Sequence, residues 1–345
     1  KDMANMKLLE QLCTLRGISG DEESVRDFIV AQITPHAERV TIDAMGNVIA
    51  EKKGAKPAKT KLMLNAHMDE VGLIVTHIDN DGYLKFATVG GIDKRVLCGR
   101  SVIIGNGVHG VIGAKPIHLL NSEERGKAVP IHDMYLDIGA SSREEAEKVV
   151  HLGDSVCFDS LFDTQNGMIR GRALDDRAGC AILIDMIQSE LSYDMTFVFC
   201  VQEEVGTRGS RTATYQVQPQ AAIVVETTTA ADVAGVPDEK HVCSLGKGAV
   251  ISFMDKGTIY DRAYYDLALD TAREEQLPCQ IKQAVAGGND AGAIHATRDG
   301  VRTIAVSLAC RYLHSAVGQI AQDDFHSSET LIMKLAERIA GSEQI

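Results

Sequence analysis

The stretch Val198-Phe199-Cys200-Val201-Gln202-Glu203-Glu204-Val205-Gly206 decides how the chain is read. Apolar, β-favouring residues run up to two adjacent carboxylates, and a glycine follows. A run of this kind is a strand of a buried sheet. In open α/β sheets, ligands bind just past the carboxyl ends of the strands. Two glutamates at such an edge repel each other unless a cation is held there.

Working outward, three more strand-like runs lead to a candidate ligand. Lys61-Leu62-Met63-Leu64-Asn65-Ala66 ends at His67-Met68-Asp69-Glu70, and Ala221-Ala222-Ile223-Val224-Val225 ends at Glu226. The run from Val301 to Leu308 is followed, after a loop, by His314. Asp175-Asp176 stands just before a helix predicted from about Ala178 to Leu191. Parallel strands deliver their carboxyl ends to one edge, so these residues can converge there. Taken singly, each has an ordinary structural role. A histidine after a strand can be structural, an Asp-Asp pair can cap a helix, and Glu226 can be a surface carboxylate. Their joint placement points to a metal site, and imidazole nitrogen with carboxylate oxygen suits zinc, cobalt or manganese.

The texture changes over residues 71–163. Gly72 to Ile78, Tyr83 to Val89, Ser101 to Gly105, Val108 to Gly113 and Ser155 to Phe158 read as short strands, two of the connections being Asn-Asp-Gly and Gly-Asn-Gly turns. One helix over Ser142 to Val150 opens with a Ser142-x-x-Glu145 capping box. We therefore expect a β-rich domain, residues 71–163, inserted into an α/β domain made of residues 1–70 and 164–345. Further helices are predicted over Met6 to Leu15, over Arg262 to Gln276 and from about Ser328 onward.

Composition narrows the function classes. The 345 residues are 45% hydrophobic, enough for a large core. With 48 acidic against 35 basic residues, the net charge of −13 argues against a nucleic-acid binder, which needs a basic face. No apolar run approaches the length of a membrane span, and no signal-peptide pattern is visible at the N-terminus. The eight cysteines form no Cys-x-x-Cys pair, which fits a reduced, cytoplasmic enzyme.

The ordered set His67-x-Asp69, Asp175-Asp176, Glu203-Glu204, Glu226, Gly287-Gly288-Asn289-Asp290 and Tyr312-x-His314-Ser315 resembles the tetrahedral and glutamyl aminopeptidase family of two-metal exopeptidases. Some members of that family carry an endoglucanase name. The resemblance covers nearly the whole chain. It implies a phosphorylase/hydrolase-like mixed-sheet α/β/α catalytic domain with a PDZ-like inserted dimerisation domain. It implies two divalent metal ions per subunit, zinc foremost, with cobalt or manganese as substitutes. His67 and Glu226 would bind one ion, Glu204 and His314 the other, and Asp175 both; related enzymes often carry aspartate in place of Glu226. Asp69 would hold the far nitrogen of His67, and Glu203 would be the general base. A metal-bridging hydroxide would attack the peptide bond, and the Asp175–Asp176 bond would be cis. Short peptides would be the substrates, and self-association would build a tetrahedral homododecamer from dimers.

Other readings share parts of this pattern. A deacylase or dipeptidase could use the same two-metal core. An endoglucanase also uses paired carboxylates, but on opposite sides of the scissile bond, and leaves both histidines unexplained. A metal-stabilised protein without catalysis would lack a base, whereas Glu203 is present. Preference for an acidic first residue would need a cation near the site, for which Lys247 and Arg311 are candidates.

Overall fold

The computed structural model describes residues 2–343; residue 1 and residues 344–345, the outer ends of the expected α/β domain, lie outside it. An eight-stranded mixed sheet runs in the order Arg39–Ile42, Val48–Lys52, Met195–Cys200, Leu62–His67, Ala221–Thr229, Arg302–Cys310, Ala249–Ile251, Cys279–Ile281. The four strands expected to deliver the site are the four central ones, and they are mutually parallel. Every residue of Leu62–His67 and Met195–Cys200 is buried. This is why both read as unbroken apolar runs rather than alternating ones. Helix Leu174–Gln188 packs on the Leu62–His67 and Ala221–Thr229 strands, and helix Gln322–Ala340 on the Arg302–Cys310 strand.

Residues Gly72 to Phe158 contain a closed six-stranded barrel with strand order Gly72–Ile78, Leu84–Val89, Tyr135–Asp137, Val108–Gly113, Ser101–Ile104, Ser155–Phe158. It has its own apolar cluster, including Leu73, Leu84, Val102, Ile112, Leu136 and Val156. Ala316, from the loop after the Arg302–Cys310 strand, joins that cluster. The helix expected over Ser142 to Val150 is a single turn, Arg143–Ala146. Ser142 Oγ accepts from the Glu145 amide, but the Glu145 carboxylate accepts from Ser141 instead, so only half of a capping box forms.

Two element boundaries differ from expectation, and one helix lies outside it. The Ala221–Thr229 strand runs three residues past Glu226, because Thr227, Thr228 and Thr229 keep pairing with Leu308, Ala309 and Cys310. Threonine is polar but β-branched, and so a good strand former. The last helix begins at Gln322, not Ser328. Its acidic first turn is partly buried, with the Asp324 carboxylate accepting from the Gly246 and Gly248 amides at 2.7 Å each. Helix Arg208–Val217, which follows the Glu203-Glu204 turn, was not anticipated. Among the described residues, no helix is long and apolar enough to cross a membrane.

Candidate metal centre

Asp175 stands at the centre of the site. Its Oδ1 lies 3.2 Å from His67 Nε2, and its Oδ2 lies 3.2 Å from His314 Nε2. Glu226 Oε1 is 3.5 Å from His67 Nε2, and Glu204 Oε2 is 3.2 Å from His314 Nε2. Two trios result, His67–Asp175–Glu226 and Asp175–Glu204–His314, each with ligand atoms within 4.8 Å of one another. Glu203 approaches His67 and Glu204 within the same limit. The structure thus brings together all five expected ligands and the expected base. The Asp175–Asp176 peptide is cis.

Local structure aims each of these groups. His67 Nδ1 lies 3.0 Å from the Asp69 carbonyl oxygen. A carbonyl only accepts, so Nδ1 carries a proton, and Nε2 is the nitrogen that faces the site. The Asp69 carboxylate is a little further away, at 3.4 Å. Its closer partners are the amides of Glu203 and Glu204, at 3.0 and 3.1 Å, and Ser19 Oγ at 2.6 Å. Asp69 therefore orients His67 mainly through its backbone and clamps the Glu203-Glu204 turn with its side chain. Glu22 and Asn47 assist, accepting from the amides of Gln202 and Val201 at 3.1 and 3.0 Å. Asp176, fully buried, accepts from the His67 amide and so ties the cis turn to the neighbouring strand.

A barrel residue completes the set. The carbonyl of Gly91 accepts from His314 Nδ1 at 2.8 Å, which leaves His314 Nε2 free to face Asp175 and Glu204. Gly90 beside it has a φ of +83°, and an added Cβ there would sit 2.8 Å from Val71 and 3.3 Å from Glu204. Only glycine combines that backbone with that approach. The contact joins residues 223 apart in the chain, and the sequence marks it only by the Gly90-Gly91 doublet.

The electrostatics show a deficit of positive charge. Burial, with repulsion from Asp175, pushes the carboxyls of Glu204 and Glu226 up to about 8, against the pull of the histidines. Burial alone would lower His314, but its hydrogen bond to Asp175 and the charges of Glu204 and Asp175 raise it to about 9. Asp175 itself is held well below the usual carboxylate range, the hydrogen bonds from His314 and His67 outweighing burial. Glu204 Oε1 is buried without a hydrogen-bond partner. Buried carboxylates this crowded require protons or cations. The mixed nitrogen and oxygen donors, with one orphaned oxygen, fit divalent metal ions.

The centre opens into a cavity of about 1200 Å³, onto which Asp175, Glu203, Glu204, Glu226 and His314 face. Lys247 and Arg311 are not among its lining residues. Lys247 is exposed, and Arg311 is bound by Asp232 at 2.7 and 2.9 Å.

The chain is 33% identical to the lysyl aminopeptidase of Pyrococcus furiosus, the match covering 98% of each. A TET aminopeptidase from a marine-sediment Thaumarchaeota archaeon superposes with a TM-score of 0.93 at 35% identity, over 98% of this chain and 97% of that one. The Pyrococcus horikoshii TET1 peptidase, which can assemble into a tetrahedron or a large octahedral shell, matches with a TM-score of 0.83 at 35% identity, over 99% of this chain and 100% of that one. Fold and site together define a metal-dependent aminopeptidase, a hydrolase. The chain belongs to the M42 glutamyl aminopeptidase family, whose model matches residues 46–331.

Proposed function

We propose that this protein removes the first residue from short peptides, using two divalent ions per subunit. His67, Asp175 and Glu226 hold one ion, and Asp175, Glu204 and His314 the other. The observation that carries this reading is the placement of each Asp175 oxygen 3.2 Å from a different histidine Nε2. Zinc suits the donors best, with cobalt or manganese able to substitute. When bound, such ions lower the pKa of water and polarise a substrate carbonyl.

The chain's own residues supply the rest. Glu203 takes the proton of the attacking water and hands it to the leaving amine. Asp69 keeps Glu203 in place through its amide, and Gly91 keeps the His314 ring in register. The surrounding carboxylates attract the substrate's α-ammonium group, which favours cleavage at the first residue. The test compares aminoacyl anilides with their N-acetylated counterparts. The free-amine substrate is cleaved, activity is lost on chelation and returns with metal, and the acetylated substrate is not cleaved. Preferential cleavage of the acetylated form would make the protein a deacylase-like amidohydrolase instead.

We further read residues 71–163 as an inserted, PDZ-like dimerisation domain on an α/β/α catalytic domain, residues 1–70 and 164–345. The barrel region leaves Val111, Ile117, Leu119, Val149, Leu152 and Leu161 exposed, apolar side chains available to a dimer contact. Dimers built on it would assemble into a tetrahedral homododecamer; the Pyrococcus horikoshii relative can assemble into a tetrahedron. Light scattering on metal-loaded protein should report a particle of about twelve subunits; a stable monomer would exclude the assembly. All eight cysteines are free, and on that ground we place the protein in the cytoplasm.

A further inference from the structure

The two trios are built differently. In the His67–Asp175–Glu226 trio, the two ligands that belong to it alone lie within strands, Leu62–His67 and Ala221–Thr229. Their side chains are 1% and 7% exposed. In the Asp175–Glu204–His314 trio, both unshared ligands stand on loops. Glu204 comes just past the Met195–Cys200 strand, and His314 lies between the Arg302–Cys310 and Gly318–Ala321 strands. The His314 side chain is 31% exposed, and its backbone has a φ of +54°. Tyr312, in the same loop, has a φ of +58°. Left-handed backbone at residues with a Cβ persists only where the surroundings impose it.

The root of the loop is closed by Arg311 and Gln319, which exchange backbone hydrogen bonds at 2.9 and 3.0 Å. Its tip is held by the barrel region. The Gly91 carbonyl accepts from His314 Nδ1 at 2.8 Å. Ala316 is buried in the barrel's apolar cluster, and Val317 packs against that cluster. Ser160, two residues past the last barrel strand, donates its hydroxyl to the Ala316 carbonyl. Gly90 also approaches Glu204, so that a Cβ added there would lie 3.3 Å from Glu204 Cβ. The barrel region therefore reaches both unshared ligands of this trio. Those of the other trio are held from elsewhere. Among the described residues, His67 is bonded to Asp69, Asp175, Asp176 and Cys180, and Glu226 accepts from the Thr227 amide.

We infer that the barrel region, through Gly91, Ala316 and Ser160, sets the affinity of the ion held by Asp175, Glu204 and His314, and leaves the ion held by His67, Asp175 and Glu226 to the sheet alone. This deepens the two-ion reading above and rests on it. Gly91, Ala316 and Ser160 are positioning residues, acting through the His314 ring and its loop. Ligands on strands are placed more precisely than ligands on loops, and the partners that orient a metal-bound histidine govern how tightly the metal is held. Displacement of the barrel against the sheet then empties one ion position before the other, and hydrolysis stops while the sheet stays intact.

The test adds zinc to metal-free protein in a calorimeter and resolves two binding steps. Glu226→Gln, which removes a ligand of the sheet-held ion, identifies that ion's step. Ser160→Ala and Ala316→Asp should weaken the other step, Ala316→Asp by about 10–100-fold, as loss of a ligand's support does. Both should leave the sheet-held step unchanged. In both variants kcat on an aminoacyl anilide should fall at limiting zinc and return when zinc is raised. The sheet-held step needs a folded sheet, so its persistence excludes unfolding as the cause. If Ala316→Asp does not fold, Ser160→Ala decides alone. The inference is overturned if Ser160→Ala leaves both steps at their wild-type affinities, or if either variant weakens both steps alike. A single zinc ion per wild-type subunit would overturn the two-ion reading itself, a separate outcome.

Discussion

Glu203→Gln lowers kcat on an aminoacyl anilide by about 10²–10⁴-fold, the range for loss of a general base, while the bound metal content stays at the wild-type level. The prediction separates Glu203 from its neighbour. Both glutamates follow the same buried strand, and both place a carboxylate oxygen within 4.8 Å of a His67 ring nitrogen. Only Glu204 also closes on His314, at 3.2 Å. Glu203 faces the cavity, where burial pushes its carboxyl well up, against the pull of His67 and with repulsion from Glu226, Asp290 and Glu204. A carboxyl raised in this way is suited to exchanging protons near neutral pH. Glutamine keeps the shape and removes the proton acceptor. Loss of metal in this variant would make Glu203 a ligand, and full activity would remove it from the chemistry.

Asp175→Asn is expected to weaken metal binding by more than the roughly 10–100-fold typical of residues that only support a ligand, and to abolish hydrolysis with it. The side-chain amide replaces one carboxylate oxygen with an NH2 group, which cannot bind a cation. Asp175 belongs to both trios, so either orientation of the amide damages one of them. The histidines are damaged too, because each has an Asp175 oxygen at 3.2 Å. Glu226 and Glu204 belong to one trio each, and their substitution should spare more of the site. Metal titration followed by calorimetry checks the ranking.

Much of this site was legible because it lies where strand period and strand end coincide. His67 closes a fully buried strand, and Glu203-Glu204 come directly after another. Such runs are unambiguous even in a single sequence. Glu226 was placed correctly along the chain but not within its strand, since Thr227 to Thr229 continue a ladder that their polarity conceals. The barrel's short strands were visible from their turns, whereas Tyr135–Asp137 is only three residues long and offers no period to read. What could not be read were contacts between distant segments. Nothing in sequence couples Gly91 to His314, or Asp69 to the amides of Glu203 and Glu204. The cation facing the substrate cavity was sought at Lys247 and Arg311, near the loops of the site. Neither lines the cavity, whereas among the described residues Arg100, Arg170, Lys256 and Lys282 do.

The account rests on two ions sharing Asp175. Elemental analysis of extensively dialysed, metal-loaded wild-type protein beside Asp175→Asn tests it most directly. The account predicts two divalent ions per subunit in the wild type and fewer than one in the variant. A fully active wild type holding a single ion, or an Asp175→Asn protein still holding two, would contradict it.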